Sequence, residues 1–275
     1  AGGGIGREID PVALHHYLHF HAVVPAPHTI LKGARKLPPA TVRVIEPNGD
    51  SRDRHYWHLD FTPQPDDARR SEGEWVEAVL SATRTAVHRR LVADEPVGAL
   101  LSGGGDSSLI VGLMAEQGAN LKTYSIGFED VGAEKGNEFE YSDCVAQHFA
   151  TDHHQIRIDS TNLLGRLPEA ITAMSEPMVS HDCVAFYLLS EAVSKHSKVV
   201  QSGQGADEVF GGYHWYPPML ASADGPADYA RGFCDRSHAD YLALVRETHQ
   251  SAEDVSRAFI ARHFAAPGAT RPVDQ

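Results

Sequence analysis

Two segments rich in glycine, serine and aspartate carry the residues with the most evident chemistry. The first, Ser102-Gly-Gly-Gly-Asp-Ser-Ser108, follows the apolar run 97–101, and the second, Ser202-Gly-Gln-Gly-Ala-Asp-Glu208, follows residues 198–201. An apolar run that stops at such a segment and resumes with helical spacing is typical of a buried strand, a tight turn and the start of a helix. Each segment is therefore predicted to be a strand-to-helix loop.

The first segment suits phosphate binding. Three consecutive glycines at 103–105 let backbone N–H groups approach a ligand, while Ser107 and Ser108 can cap the following helix and donate hydroxyl groups. The N-terminus of a helix favours anions, and Asp106 fits there if it holds a divalent cation that the phosphates share. The spacing matches neither a P-loop nor a Gly-x-Gly-x-x-Gly motif, and a purely structural turn is the alternative.

The second segment has the same design. For Asp207 and Glu208 the simpler interpretation is an acidic pair that complements the dipole of a helix start. However, strands and helices alternate between the two segments, which predicts a parallel α/β sheet. If the second strand lies beside the first, both loops open on one crevice at the point where the strand order reverses, and Asp106 and Asp207 can share one Mg²⁺. The matched loops therefore favour a nucleotide site.

The elements that must position these loops are predicted from apolar spacing and turn residues. A helix is expected from Ser71, which caps it, with Glu74 three residues further on. Asn48-Gly49 indicates a hairpin after a strand at 41–45. The other expected helices begin at Pro11 and after Asp106 and span 138–150, 162–174 and 184–196, and the other expected strands span 121–128 and 153–158. The predicted fold is a doubly wound parallel α/β sheet with a small N-terminal β-containing segment.

Composition limits the classes of partner. The chain has 275 residues, 42% of them hydrophobic, and a formal net charge of -13. An acidic chain without a basic stripe argues against nucleic acid and favours a small-molecule substrate. Three widely spaced cysteines without a Cys-x-x-Cys pair predict free thiols in a reducing compartment, so we expect a cytoplasmic protein. No apolar run is as long as a membrane span, and no signal-peptide pattern opens the chain.

Five histidines lie near the N-terminus, at positions 15, 16, 19, 21 and 28. Histidine is a common metal ligand, but no acidic or cysteine residue is spaced with these five as a ligand set requires. We therefore interpret them as solvated or packed side chains.

Taken together, the two loop motifs resemble the synthetase domain of asparagine synthetase-type amidotransferases, whose pyrophosphate loop belongs to the adenine nucleotide alpha hydrolase type of fold. Residues 29–40 with Tyr56-Trp57 resemble the stretch with which that family leaves its glutaminase domain. The resemblance covers residues 7–218. It implies that residues 1–60 are the tail of a glutaminase domain and a linker, and that residues 61–275 are an ATP-binding synthetase domain truncated at its C-terminus.

The resemblance also implies a reaction. A substrate carboxylate attacks the α-phosphate of ATP, pyrophosphate leaves, and ammonia from a glutaminase domain missing from this chain converts the acyl-adenylate into an amide. Asp106 and Asp207 would hold Mg²⁺ and, with Gln204, form the catalytic set. The residues implied to bind ATP and pyrophosphate are Leu101, Ser102, Gly103, Gly104, Gly105, Ser107, Ser108, Ile126, Gly127, Ser202 and Gly203.

Within the family, residues 176–182 and 214–218 are similar to a subgroup that amidates a small osmoprotective dipeptide. The chain departs from the family pattern at Gly105, where leucine is usual, and at Gln204, where asparagine synthetases usually have glutamate. It opens with Ala1 instead of the nucleophilic cysteine, and the family's transition-state lysine and Pro-Phe-Leu-Asp segment lie beyond Gln275. The isolated chain is therefore expected to be inactive, and a homodimer is allowed.

Three other functions stay open at this stage. One is an aspartate-specific asparagine synthetase. Another is a nucleotide-binding module without turnover, which release of pyrophosphate from ATP, Mg²⁺ and a carboxylate would exclude. The last is a pyrophosphate-loop enzyme that acts on tRNA, against which the net charge of -13 and the scattered cysteines argue.

Overall fold

The computed structural model describes residues 4, 6–58, 60, 62, 64–118, 120–128, 136–159, 163–178 and 182–265. The chain forms two compact units. Unit 1 contains residues 1–64, 174–179 and 214–275, and unit 2 contains residues 65–173 and 180–213. The N-terminal residues thus share a unit with the C-terminal ones. The division at residue 60 into a glutaminase-domain tail and a synthetase domain stays a prediction.

Helices and strands alternate through unit 2. Its elements, in chain order and numbered over the whole chain, are α2 (Glu72–Arg89), β3 (Val97–Leu100), α3 (Gly105–Ala115), β4 (Lys122–Phe128), α4 (Phe139–His148), β5 (Asp152–Ile158), α5 (Leu163–Ala173), α6 (Asp182–Val193), β6 (Val199–Gln201) and α7 (Ala206–Phe210). Those of unit 1 are α1 (Pro11–His19), β1 (Thr41–Ile45), β2 (Ser51–His55), α8 (Tyr216–Met219), α9 (Gly225–Phe233), α10 (His238–Leu244) and α11 (Val255–Phe264).

The sheet of unit 2 is parallel, with strand order β5-β4-β3-β6. The chain builds outward from β3 to β5 and then returns to the other side of β3, where Ala99 pairs with Gln201 of β6. The carboxyl ends of β3 and β6 are therefore neighbours, which is the point where such sheets bind ligands. The predicted α/β class and strand arrangement are confirmed.

Helices cover both faces of this sheet. Ala99 and Leu101 pack with buried residues of α2, α3 and α4, whereas Leu100 packs on the opposite face with Tyr124 and with Leu189 of α6. This alternation follows from the two-residue period of a strand, and burial on both faces explains why β3 reads as an almost continuous apolar run. The double winding is therefore observed.

Helix α2 begins as predicted, but part of its apolar surface is exposed to solvent. The Ser71 hydroxyl accepts a hydrogen bond from the Glu74 N–H, and the Glu74 carboxylate accepts one from the Ser71 N–H at 2.8 Å, which completes a capping box. Val87 of this helix is buried, but Trp75 and Val79 are each 40% exposed. The N-terminal half of α2 thus keeps an apolar face in solvent.

Unit 1 pairs a short hairpin with a set of helices. Strands β1 and β2 are antiparallel, and Asn48-Gly49 forms the predicted turn with a positive φ of 91° at Gly49. Helix α1 packs against α11, and α11 packs against α9. His15, His16 and His19 are buried on α1, so these three are packed histidines as predicted. Burial lowers the pKa of His15 to about 3 and that of His16 to about 4, and it also lowers the pKa of His19.

Two predictions from composition bear on the described residues. Cys144, Cys183 and Cys234 are free thiols. Within the described ranges, no helix has both the length and the apolar character needed to cross a membrane.

Candidate active site

The loop after β3 forms a turn that requires glycine. Gly103 has a φ of 94°, and a Cβ at this position would lie 2.5 Å from Tyr141 Cβ and 2.7 Å from the Ser142 backbone nitrogen. A side chain is therefore excluded both by the left-handed backbone and by close contact with α4. The glycine holds the loop against the start of α4.

Hydroxyl groups inside this loop stabilise its shape. Ser107 Oγ donates to the Gly104 carbonyl at 3.1 Å, and Ser108 Oγ donates to the same oxygen at 2.7 Å. Ser102 Oγ lies 3.0 Å from Ser107 Oγ and accepts the Gly104 N–H at 3.3 Å. The N-cap of α3 is Gly104, without a side-chain cap. The prediction that Ser107 and Ser108 cap the helix is therefore wrong, because both lie inside its first turn and bond back to its first carbonyl.

The loop after β6 lies directly on the first loop. A Cβ on Gly203 would be 2.7 Å from the Ser107 backbone nitrogen and 2.9 Å from the Asp106 carbonyl carbon. Gly205 has a φ of 92° and is the N-cap of the short helix α7, which carries Asp207 and Glu208 in its first turn. A Cβ on Gly212 would collide with the Asp207 carboxylate. Glycines therefore let the two backbones touch and leave room for this carboxylate.

Both loops line one cavity of about 500 Å³, which is within the usual size range of small-molecule sites. The cavity brings together most of the predicted site residues: Leu101, Ser102, Asp106, Ser107, Ile126, Ser202, Gly203, Gln204 and Asp207. The remaining predicted residues, Gly103, Gly104, Gly105, Ser108 and Gly127, do not line it. Gly127 instead makes room for Phe139, since a Cβ there would lie 2.5 Å from Phe139 Cζ.

The polar wall of the cavity is acidic. Asp106, Glu138, Asp207 and Glu208 contribute carboxylates, and the described lining includes no lysine, arginine or histidine. Asp106, Glu138 and Glu208 are exposed to solvent, and Asp207 is half-buried. The Tyr213 hydroxyl donates to Glu208 Oε1 at 2.8 Å. These carboxylates repel an anionic ligand, and bound cations would offset that repulsion.

The cavity lining also has an apolar part, made of residues that sequence reasoning did not assign to the site. It contains Tyr124 of β4, Phe139 of α4, and Phe186 and Leu189 of α6. Tyr124 is itself fixed, because its hydroxyl lies 2.6 Å from Ser197 Oγ. Glu138, Glu208 and Tyr213 also line the cavity and were not predicted to do so. Glu208 and Tyr213 could have been found, because they lie within and just after the second glycine-rich segment, whereas no motif marks Glu138.

A hydrogen-bonded chain supports the floor of the cavity. The buried Ser125 hydroxyl donates to the Leu101 carbonyl and lies 3.2 Å from His153 Nε2, and His153 Nδ1 lies 2.8 Å from Thr123 Oγ1. Burial lowers the pKa of His153, with the nearby Asp143 acting in the opposite direction. His153 is therefore a neutral positioning group that ties β3, β4 and β5 together below the loops.

Comparison with known proteins identifies the family of the chain. The family model described as Asparagine synthase matches residues 78–274. The chain is 32% identical to glutamine-hydrolyzing asparagine synthetase 1 of Bacillus subtilis (strain 168) over 214 residues, which is 78% of this chain and 33% of that protein. A putative glutamine-hydrolyzing asparagine synthetase 2 of Methanocaldococcus jannaschii is 34% identical over 208 residues, 74% of this chain and 38% of that protein.

The chain therefore belongs to the asparagine synthase family, and it spans about a third of the length of these relatives. Among solved structures, an NH₃-dependent NAD synthetase from Campylobacter jejuni in complex with nitrate aligns with 70% of this chain and 96% of that one. The sequence identity is 13% and the TM-score is 0.35. A TM-score this low does not support the family assignment, which depends on the sequence matches alone.

Proposed function

We propose that this chain contains the ATP-dependent synthetase site of an amide-forming ligase. The observation that carries the proposal is the contact between two glycine loops on adjacent parallel strands, over a cavity with four carboxylates. Membership of the asparagine synthase family supports the same reaction class. ATP is the proposed co-substrate, and a carboxylic acid is the proposed acceptor.

The charge of the cavity makes divalent cations necessary for this reaction. A triphosphate and the carboxylates of Asp106, Glu138, Asp207 and Glu208 repel one another. Carboxylate oxygens are also the protein ligands that Mg²⁺ prefers, so the donor set fits this ion. We assign Asp106 and Asp207 to hold it. Bound Mg²⁺ would neutralise phosphate charge, because the described lining of the cavity has no cationic side chain to do so.

The residues of the chain itself position the reactants. The first-turn N–H groups of α3 have no partner within the helix and are suited to phosphate oxygens. Leu101, Ile126 and the apolar part of the lining are suited to the adenine ring. An acceptor carboxylate oxygen attacks the α-phosphorus, the bond to pyrophosphate breaks, and a mixed anhydride forms. Ammonia then attacks the acyl carbon, AMP leaves, and one proton is released.

The amide nitrogen is proposed to come from glutamine hydrolysed by another domain of the same polypeptide, because the two relatives described above are named glutamine-hydrolyzing. We place the protein in the cytoplasm on the basis of its three free thiols. The site takes a small molecule, and the negative net charge of -13 argues against nucleic acid as a partner.

ATP–pyrophosphate exchange in the full-length protein tests the site. Asp106→Ala and Asp207→Ala are each expected to lower Mg²⁺-dependent exchange at least a hundredfold, about 2.7 kcal/mol of transition-state stabilisation. Asp94→Ala, an exposed aspartate outside the cavity lining, is the matched control. If either cavity variant keeps wild-type exchange, the shared-cation assignment is wrong. If the wild-type protein binds ATP but never exchanges pyrophosphate, the proposed chemistry is wrong.

For the acceptor we propose an N-blocked peptide carboxylate, N-acetylglutaminylglutamine, instead of aspartate. Gln204 lines the cavity and its backbone N–H donates to Ser202 Oγ at 3.2 Å. An amide at this position carries no charge to complement the α-ammonium group of a free amino acid, but it offers both donor and acceptor atoms. An acceptor without a free amine therefore matches the site better.

Competition between aspartate and N-acetylglutaminylglutamine, with ATP and glutamine, tests the acceptor. We expect the ratio of kcat/KM values to favour the peptide, and Gln204→Glu to move that ratio toward aspartate about tenfold. A preference of the wild-type protein for aspartate would refute the proposed acceptor. It would not contradict the proposed adenylation site, which the exchange assay tests separately.

A further inference from the structure

Side chains from different helices of unit 1 converge at a second polar site, separate from the carboxylate cavity. His15 lies on α1, His238 is the first residue of α10, and Asp254 is the N-cap of α11. His15 Nε2 is 2.8 Å from His238 Nδ1 and 3.9 Å from Asp254 Oδ1. One donor atom from each residue lies within 4.8 Å of the other two. His15 is fully buried, and the other two are half-buried.

These separations fit a common ion. Ligand atoms around a tetrahedral zinc ion, each about 2.0–2.1 Å from the metal, lie about 3.3 Å apart. The two observed separations, 2.8 Å and 3.9 Å, lie on either side of that value. The ligand set, imidazole with carboxylate, suits divalent transition metals of the zinc class. Asp254 Oδ1, the oxygen at 3.9 Å from His15 Nε2, also accepts the Arg257 N–H at 2.9 Å, which fixes the position of this carboxylate.

The buried histidine is oriented for this role. His15 Nδ1 lies 2.7 Å from Ser256 Oγ, and Ser256 is itself buried. In the tautomer that donates Nδ1–H to this hydroxyl, the lone pair of His15 is on Nε2, the atom next to His238 and Asp254. Metal-binding histidines generally donate their other N–H in this way, because that bond fixes both tautomer and ring orientation.

A further buried group next to the cluster lacks a partner. The His19 ring stacks on His15 with a centroid separation of 3.9 Å and donates its Nδ1–H to the His15 carbonyl at 2.7 Å. Its other nitrogen, Nε2, is buried and has no hydrogen-bond partner among the described residues. Both Asp254 and His238 act electrostatically on this ring. A buried acceptor without a donor is costly, and the positive charge of an ion bound by the adjacent His15 would offset part of that cost.

We propose that His15, His238 and Asp254 bind one divalent transition-metal ion of the zinc class. The ion would be structural, because it connects α1 to α10 and α11, which are more than 200 positions away in the chain. No sequence motif announces this site, since its ligands come from three separate segments. Its existence does not depend on the proposed ligase activity.

Cobalt titration tests the site, because Co²⁺ replaces zinc and its visible absorption reports the coordination geometry. We would use an untagged full-length chain, stripped of metal, with excess Mg²⁺ present to occupy the carboxylate cavity. One equivalent of Co²⁺ should bind with the intense absorption of a tetrahedral site. Zn²⁺ should displace it and raise the unfolding temperature.

Two variants locate the site. His238→Gln and Asp254→Asn should each lower Co²⁺ affinity at least about tenfold, since even outer-shell partners of metal ligands have effects of this size. Asparagine caps helices as well as aspartate does, so Asp254→Asn keeps the start of α11. Asp224→Asn is the matched control, because Asp224 caps α9 through the Ala227 N–H in the same way and is not among the ligands.

Two results would overturn the proposal. One is the absence of a tetrahedral cobalt spectrum from the wild-type chain. The other is wild-type affinity in both ligand variants, which would assign the binding to other histidines among the 17 in the chain. In either case the cluster is a hydrogen-bonded series of neutral imidazoles. If a variant does not fold, X-ray absorption of the zinc-loaded wild-type chain decides, because it counts the imidazole ligands directly.

Discussion

The carboxylate cavity of unit 2 and the histidine cluster of unit 1 both collect polar side chains, but by opposite physical means. The cavity gathers its carboxylates at the open ends of two strands, and three of the four are exposed. The cluster removes His15, His16 and His19 from water, and burial keeps them neutral by lowering their pKa values. The cavity therefore carries negative charge that needs a counterion, whereas the histidine cluster carries neutral imidazoles with free lone pairs.

The two regions also differ in what makes them rigid. The cavity depends on backbone contacts that only glycine allows, at Gly103 and Gly203. The cluster depends on side chains that hold one another, with Ser256 Oγ shared between His15 Nδ1 at 2.7 Å and His16 Nδ1 at 3.0 Å. Substitution of a glycine should therefore damage the first region selectively, and a change of pH should damage the second.

Gly103→Ala is expected to have the largest effect. It combines an unfavourable left-handed backbone with contacts at 2.5 Å and 2.7 Å to α4, so we expect a loss of about 4 kcal/mol in the free energy of unfolding. Urea unfolding measures this loss. Gly165→Ala is the control, because a Cβ at that helical position meets nothing within 4 Å. Equal stability of the two variants would contradict the claim that this loop requires glycine.

Acidification is expected to destabilise the metal-free protein through His15 and His16. Both have folded pKa values, about 3 and about 4, below the ordinary 6.5, so the unfolded chain binds more protons between these values and 6.5. The stability that they contribute is complete above pH 6.5 and falls as the pH falls below it. From pH 7 to pH 5 the loss should be about 4 kcal/mol.

Urea unfolding at a series of pH values, with a chelator present, measures this slope. His263→Gln is the control, because His263 is exposed and shows no comparable burial. A free energy of unfolding that stays constant from pH 7 to pH 5 would mean that the cluster is already protonated, or open to water, in the folded protein.

Gly105→Ala is expected to have the smallest effect, in the stabilising direction. Gly105 is the first residue of α3, and a Cβ there meets nothing within 4 Å. Alanine restricts the unfolded chain and favours the helix, so we expect a gain of about 0.5–1 kcal/mol. The unfolding temperature measures it. A destabilised variant would show that this position needs glycine as Gly103 does.

Local signals explain why the cavity could be anticipated. The glycine loops, the capping box at Ser71 and the hairpin at Asn48-Gly49 each depend on residues a few positions apart, and the structure has all of them. The hydroxyls of Ser107 and Ser108 were assigned incorrectly, because the sequence does not reveal that α3 begins at Gly105, which puts both inside the helix. The roles given to Asp106, Asp207 and Gln204 stay predictions.

The sequence by itself determined the alternation of strands and helices, the two loops and the acidic pair that follows the second one. These features arise from backbone preferences and apolar periodicity, which act over a few residues. Only the tertiary structure decided which carboxylates and aromatic rings face one cavity. It also placed His238 and Asp254 beside His15, where the sequence had offered the N-terminal histidines no acidic partner. Contacts between residues more than 200 positions apart follow from helix packing, and no local pattern records them.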